Sequence, residues 1–173
     1  MSRAASKPTT SPRMTRTEVL TATFVRRHSG KDRVYVTRTD GTTTGWDFPS
    51  YGAGLPHDLC HLVVEDELGI MDGFWGLIDR GVDVGMVDNQ PTLMNQGRPL
   101  TQEPGANITA LVGAEEVVAA LTGVGTTLGG ELEGQARIER EVTARLRKRL
   151  MALQTEWANL EDGGSITLRF TGP

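Results

Sequence analysis

The stretch of residues 55–68, LPHDLCHLVVEDEL, carries the side chains best suited to chemistry in this chain. It holds two of the three histidines, His57 and His61, four residues apart. A helix advances about 100° per residue, so His61 would lie about 40° around the axis from His57. Glu65 would follow at about 80° and Asp58 at about 100°. The spacing predicts one helical stripe that presents two imidazoles and two carboxylates.

Two histidines at positions i and i+4 can bind one metal ion, because both imidazoles point to the same side of the helix. We predict His57, His61 and Glu65 as metal ligands. Asp58 is the alternative carboxylate, or a residue that orients a histidine. Asp58 and Glu65 are also the candidate catalytic residues. Two imidazoles and one carboxylate suit Zn²⁺, or Fe²⁺ with open coordination positions. The predicted chemistry is that of a hydrolase in which metal-activated water attacks a small polar substrate.

Two other interpretations fit the same stripe. In the first, the stripe is the solvated side of a helix, and the protein is a non-catalytic interaction or regulatory module that docks a protein partner. The stripe contains no Lys, Arg, Ser or Gln, the usual residues of a solvated face, and this favours a site. In the second, the protein is a metal-free enzyme in which one histidine and a carboxylate form a general acid–base pair. The pair is either His57 with Asp58 or His61 with Glu65. Cys60, on the apolar side of the helix, is expected in the core.

The residues PHDLCHLVVE, the ELG that follows and the GFWG of Gly73 to Gly76 resemble a family of small bacterial proteins. Its members share a PHDxxHxxVE helix and a GFWG-like segment. The likeness covers residues 19–81 and the last strand, in GGSITLRF. The family has no established activity, so the resemblance implies a fold and a focus on this helix, but no reaction.

The HDxxH motif is also similar to the zinc-binding motif of a ubiquinone-biosynthesis family. That resemblance implies His57, Asp58 and His61 as ligands. The family has a further glutamate downstream, where this chain has Asp72 and Gly73. The resemblance therefore names no fourth ligand and carries no quinone chemistry to this chain.

The residues that precede this helix in the sequence are predicted to form a β-sheet, which must position the helical stripe. Three β-rich segments, VLTATFV, RVYVTR and TDGTTTGWDF, are separated by SGKD and by the tight-turn pair Asp40-Gly41. They predict a three-stranded antiparallel meander. In SITLRF, near the end of the chain, Ile166, Leu168 and Phe170 alternate with polar residues. This pattern predicts a strand that joins the N-terminal sheet.

Helices must complete the fold. The first begins at Pro56 and ends near Leu68, where Gly69 is a natural stop. MDGFWGLIDRG predicts a short second helix, NITALVGAEEVVAALTG a third, and residues 131–160 a long amphipathic fourth. The fold class is α+β: an antiparallel sheet of about four strands packed by three to four helices. Residues 82–106 lack periodicity and are predicted to form a long irregular loop, either a lid or a surface insertion.

Composition and net charge indicate which cellular compartment and which binding partners to expect. The net charge of −4 and pI of about 5.4 give no reason to expect binding to nucleic acid or to an anionic membrane. Residues 1–16 are polar, without a secretory signal, and are predicted to be a disordered tail. The apolar stretch ALVGAEEVVAALTGVG is interrupted by Glu115 and Glu116 and is too short to span a bilayer. We predict a cytoplasmic protein with one domain at 17–173, and the single Cys60 fits that compartment.

One dense basic cluster, RLRKRL, runs from Arg145 to Leu150. It lies on the predicted long helix, with Glu141 four residues before Arg145. Opposite charges at this spacing pair on a helix surface. The cluster is therefore interpreted as a solvated, ion-paired face rather than as a phosphate or RNA site.

Overall fold

The computed structural model describes residues 18–103, 108–122 and 140–172. These ranges contain four α-helices and two antiparallel sheets, so the α+β class is confirmed. The elements in chain order are β1 (Leu20–Val25), β2 (Asp32–Thr37), β3 (Thr43–Phe48), α1 (His57–Leu68), α2 (Phe74–Asp79), β4 (Asp83–Val87), β5 (Gln90–Asn95), β6 (Arg98–Pro99), a 3-10 turn (Leu100–Gln102), α3 (Thr109–Thr122), α4 (Arg140–Ala158) and β7 (Ser165–Phe170). The predicted tail at 1–16 and residues 131–139 of the predicted long helix lie outside the described residues.

The larger sheet has the strand order β3-β2-β1-β7, which confirms that the last strand joins the N-terminal meander. Phe24 of β1 stands opposite Val34 of β2 on one side and Ile166 of β7 on the other. Strand residues alternate between the two faces of a sheet, so every second side chain of β1 enters the core. Leu20, Ala22 and Phe24 are accordingly buried.

Helix α1 lies in the middle of the core with most of its surface covered. Its buried apolar residues are Leu59, Cys60, Leu62, Val63 and Val64. The helix ends as predicted at Gly69, which takes the left-handed conformation with φ 65°. The amide of Ile70 then donates to the carbonyl oxygen of Glu65 at 2.8 Å and closes the last turn. This cap fixes where the chain turns away towards the GFWG segment.

The predicted irregular loop at 82–106 is wrong over most of its length, because β4, β5 and β6 form a second, three-stranded antiparallel sheet there. Its hairpins have two-residue turns at Asp88-Asn89 and at Gln96-Gly97. All four turn residues have positive φ, as the type I′ turn requires. Neither turn carries an Asp-Gly pair like Asp40-Gly41, which identified the earlier hairpin, and this explains the error.

A buried arginine ties α2 and the second sheet to the first. The Arg38 guanidinium donates to the carbonyl oxygens of Ile78 at 2.6 Å and Val82 at 3.2 Å, and it pairs with Asp83. Arg38 is 5% exposed, so these partners satisfy a charge that burial would otherwise make costly. The contacts fix the far end of α2, whose beginning holds part of the candidate site.

Helices α3 and α4 pack against α1. Two arginines of α4, Arg145 and Arg149, form ion pairs with Glu67 of α1. The basic cluster is thus ion-paired in part, through a neighbouring helix rather than through Glu141. Within the described ranges, no helix combines the length and the apolar character that crossing a lipid bilayer requires.

Candidate metal centre

Three side chains from two helices converge at the start of α1. His57 and His61 come from α1 and Glu115 from α3. The two Nε2 atoms of the histidines lie 3.2 Å apart. Oε2 of Glu115 is 2.6 Å from Nε2 of His61 and 3.3 Å from Nε2 of His57. These three residues form a group that could hold a metal ion.

The separations suit a first-row metal ion. A tetrahedral ion bound at about 2.0–2.1 Å by nitrogen and oxygen ligands places those ligand atoms about 3.3 Å from one another. The three edges of the His57, His61 and Glu115 triangle lie at or somewhat below this value. Binding an ion would therefore require only a small outward movement of the Glu115 carboxylate.

One side of the triangle is closed and the other is open. The His61 side chain is 4% exposed, whereas those of His57 and Glu115 are 29% and 37% exposed. An ion in the triangle would have protein behind it and solvent in front of it. An ion bound by these three side chains would keep one coordination position open to water.

Glu65 lies behind His61, and it is not a member of the triangle. Its Oε1 is 3.1 Å from Nδ1 of His61. The amides of Phe74 and Trp75, at the start of α2, donate to the same carboxylate at 2.9 and 2.8 Å. A carboxylate that accepts from Nδ1–H leaves the Nε2 lone pair of the imidazole free for a metal. The prediction that Glu65 is itself a ligand or a catalytic residue stays a prediction.

Gly73 allows this contact between α1 and α2. A Cβ at this position would lie 2.5 Å from the Cδ atom of Glu65, which is closer than two such atoms can approach. The glycine therefore lets the backbone before α2 close over the buried carboxylate. The HDxxHxxxE helix and the GFWG segment are thus one packed unit.

Asp58 supports the site from the side rather than pointing into the triangle. Its Oδ2 accepts a hydrogen bond from the indole of Trp46 at 2.8 Å, and its carbonyl oxygen accepts one from the indole of Trp75 at 2.8 Å. Desolvation raises the pKa of Asp58, although the Trp46 hydrogen bond and the nearby histidines oppose this. Its prediction as a catalytic residue likewise stays a prediction.

The two glutamates, Glu65 and Glu115, determine the pKa of His61. Burial alone would lower the pKa of His61, but the hydrogen bonds and charges of Glu115 and Glu65 outweigh it and raise the pKa to about 9. The hydrogen bond from His61 and the charges of both histidines in turn lower the pKa of Glu115, against its desolvation. Without a metal, the two glutamates therefore favour the protonated form of His61.

Cys60 is buried, as expected for a core residue, and it is not part of the triangle. Burial raises the pKa of its thiol to about 12, so the nucleophilic thiolate is scarce at neutral pH. This thiol is neither a ready ligand nor a nucleophile.

The structure brings together two of the three predicted ligands, His57 and His61, and adds Glu115, which the sequence reasoning missed. Glu115 lies 54 residues from His61 along the chain, so no spacing rule joins them. One signal was present, because Glu115 and Glu116 interrupt an otherwise apolar helix. Two adjacent glutamates in an apolar helix must either contact a polar partner or face the solvent.

A scan against protein-family models, a search of curated proteins and a search of solved structures each found no match to this chain.

Proposed function

We propose that this protein is a metalloenzyme in which His57, His61 and Glu115 bind one Zn²⁺ or Fe²⁺ ion. The observation that supports this most directly is the convergence of the three ligand atoms in one small triangle. Glu65 has the supporting role, because its hydrogen bond holds His61 with Nε2 facing the site. Glu115 thus takes the place of ligand that the sequence suggested for Glu65.

The donor set and the open side support the proposed reaction class. Two imidazoles and one carboxylate leave a coordination position free, and an ion bound there lowers the pKa of a water towards neutrality. The exposed sides of His57 and Glu115 give a substrate access to that position. We assign a hydrolytic reaction, in which activated water attacks a carbonyl or phosphoryl group.

The first experiment is elemental analysis of untagged protein, with titration of Zn²⁺ into the metal-free form. We expect close to one ion per chain in the wild type, and none in a His57→Ala/His61→Ala double variant. Glu115→Gln should weaken binding by about 100-fold or more, because the amide is a far poorer ligand than the carboxylate.

Glu116→Gln is the matched control, because Glu116 is the exposed neighbour of Glu115 on α3. It should bind zinc like the wild type. If wild-type protein binds no metal, or if Glu115→Gln binds as tightly as Glu116→Gln, the proposed metal centre is wrong.

A second candidate is metal-free acid–base catalysis by the same residues. The 2.6 Å contact between His61 and Glu115 favours it, because an imidazole nitrogen and a carboxylate oxygen at hydrogen-bond distance can exchange a proton. Activity that survives treatment with a chelator, and that is lost in Glu115→Gln, would select this candidate over the metalloenzyme.

A further inference from the structure

A cavity of about 650 Å³ adjoins the metal centre, between α1, α3 and α4. His57, one of the three proposed ligands, lines it from α1. Leu121 lines it from the end of α3, and Leu150 and Met151 line it from α4. Its volume lies in the ordinary range of small-molecule sites. A ligand in this cavity would contact His57, which forms one corner of the triangle.

The wall of the cavity is mainly apolar. Besides Leu121, Leu150 and Met151, Leu55 contributes from the segment before α1. Met151 is 71% exposed, which is unusual for a large apolar side chain. Tyr51, which also lines the cavity, is 53% exposed, and exposed large side chains of this kind around a concavity are characteristic of a ligand site. A fully polar substrate would leave this wall without a partner.

Most of the polar side chains in the wall already have hydrogen-bond partners. Gln154 donates to the carbonyl oxygen of Ala53 at 2.8 Å, and Thr155 donates to that of Met151 at 3.0 Å. Arg147 differs, because it is exposed and takes part in no ion pair with any residue that the structure describes. Its neighbours in the basic cluster, Arg145 and Arg149, are paired with α1. Arg147 therefore offers a positive charge to whatever enters the cavity.

We infer that the cavity binds an amphiphilic organic anion, with its apolar body against Leu121, Leu150 and Met151 and its anionic group on Arg147. As a statement about the substrate, this rests on the proposed function, because His57 joins the cavity to the metal centre. It replaces the small polar substrate expected from the sequence with a molecule that has a substantial apolar part. The bond to be hydrolysed would lie beside His57, and the anionic group would lie at the Arg147 side.

Decanoate is a suitable probe, since it has an apolar chain and one carboxylate. Its binding should be measured by calorimetry on both metal-free and zinc-loaded protein. We expect binding in both forms, with no comparable binding of butyrate or of decyltrimethylammonium. The first lacks the apolar body and the second has the opposite charge.

Substitutions in the cavity wall test where the carboxylate and the apolar chain of decanoate bind. Arg147→Met should weaken decanoate binding roughly fivefold, as expected for the loss of one exposed charge pair. Lys148→Met is its matched control, because Lys148 is exposed on the same helix but does not line the cavity. Met151→Asp should weaken binding about tenfold or more by placing a charge in the apolar wall. Ala152→Asp, at the next exposed position, should have little effect.

The outcomes separate this inference from the proposed function. Zinc binding without decanoate binding, or decanoate binding that Arg147→Met and Met151→Asp leave unchanged, overturns the inference and leaves the metal centre intact. Decanoate binding that appears only with zinc would place the carboxylate on the ion rather than on Arg147, and would also overturn it. Binding that follows the variants in protein without zinc affinity would support the cavity but not the metalloenzyme.

Discussion

Glu65 is a single buried carboxylate that accepts hydrogen bonds from α1 and from the start of α2. Its carboxylate accepts from the imidazole of His61 and from the amides of Phe74 and Trp75. It is fully buried, so each of these donors depends on it for a partner. The residue therefore links the orientation of a proposed ligand to the position of α2.

We expect Glu65→Gln to lower both stability and zinc affinity without removing the site. The amide nitrogen would face one of three donors, which should reduce the free energy of unfolding by about 1–3 kcal/mol. Loss of the charged partner of His61 should weaken zinc binding about 10- to 100-fold. Titration should still reach one ion per chain at saturation. Glu67→Gln, at a partly exposed carboxylate whose described ion pairs are with α4, should leave zinc affinity unchanged.

Proton release should accompany metal binding at neutral pH. The His61 pKa of about 9 lies above the ordinary value of 6.5, so metal-free His61 carries a proton at pH 7.5. A metal ion needs the neutral imidazole and displaces that proton. Calorimetric titration of zinc in buffers with different ionisation enthalpies should show release of about one proton from His61 at pH 7.5. Release from this group should disappear as the pH rises above its pKa.

The raised pKa of His61 also determines whether the metal-free protein gains or loses stability as the pH rises. A raised folded-state pKa contributes stability that is fully present below about pH 6.5 and is lost as the pH rises towards 9. Thermal melting should therefore show that this contribution weakens over that window. Since zinc affinity rises over the same window, the stabilisation by zinc should grow with pH. A zinc effect that shrinks with rising pH would contradict this picture.

At the level of elements, the close packing of α1 against the start of α2 depends on Gly73, which has no side chain. We expect Gly73→Ala to destabilise the protein by about 1–3 kcal/mol, because its Cβ would collide with the Glu65 carboxylate. Gly113→Ala is the matched control, since a Cβ there meets nothing within 4 Å and Gly113 lies inside α3. It should stabilise the protein by about 0.5–1 kcal/mol. Chemical denaturation of both variants measures the two changes, and equal effects would refute the close approach at Gly73.

The elements that the sequence predicted well are those with local signals. The meander consists of β-rich segments separated by turn residues, β7 alternates apolar and polar residues, and α1 lies between a proline and Gly69. Each could therefore be identified from a few neighbouring residues. The second sheet was missed because its turns, Asp88-Asn89 and Gln96-Gly97, need positive φ at residues other than the expected glycine pair. Glu115 was missed for a different reason, since its contact with His61 depends on the packing of α3 against α1.

For the whole molecule, the proposed metal centre joins α1, which is largely buried, to α3, which has few buried side chains. The buried residues of α1 include most of its length, whereas those of α3 are Ala114 and Val118. An element with few buried side chains opens at a low free-energy cost. In metal-free protein, α3 is thus held by these two side chains, by the partly buried Val117 and Leu121, and by the contacts of Glu115 with the two histidines.

We therefore expect zinc to protect α3 more than the rest of the fold. Ligand linkage adds about 4 kcal/mol of stability when free zinc exceeds the dissociation constant about 1,000-fold, and part of this should appear as slower local opening of α3. Hydrogen exchange measured by mass spectrometry should slow most in peptides from residues 109–122. Peptides from β1, at the centre of the larger sheet, already require near-global opening and should change less at short exchange times. In Glu115→Gln the difference between α3 and β1 should vanish, because the bridge is then broken on the α3 side. Equal protection of both regions in wild-type protein would mean that zinc stabilises the fold without joining α3 to α1, and the ligand from α3 would have to be abandoned.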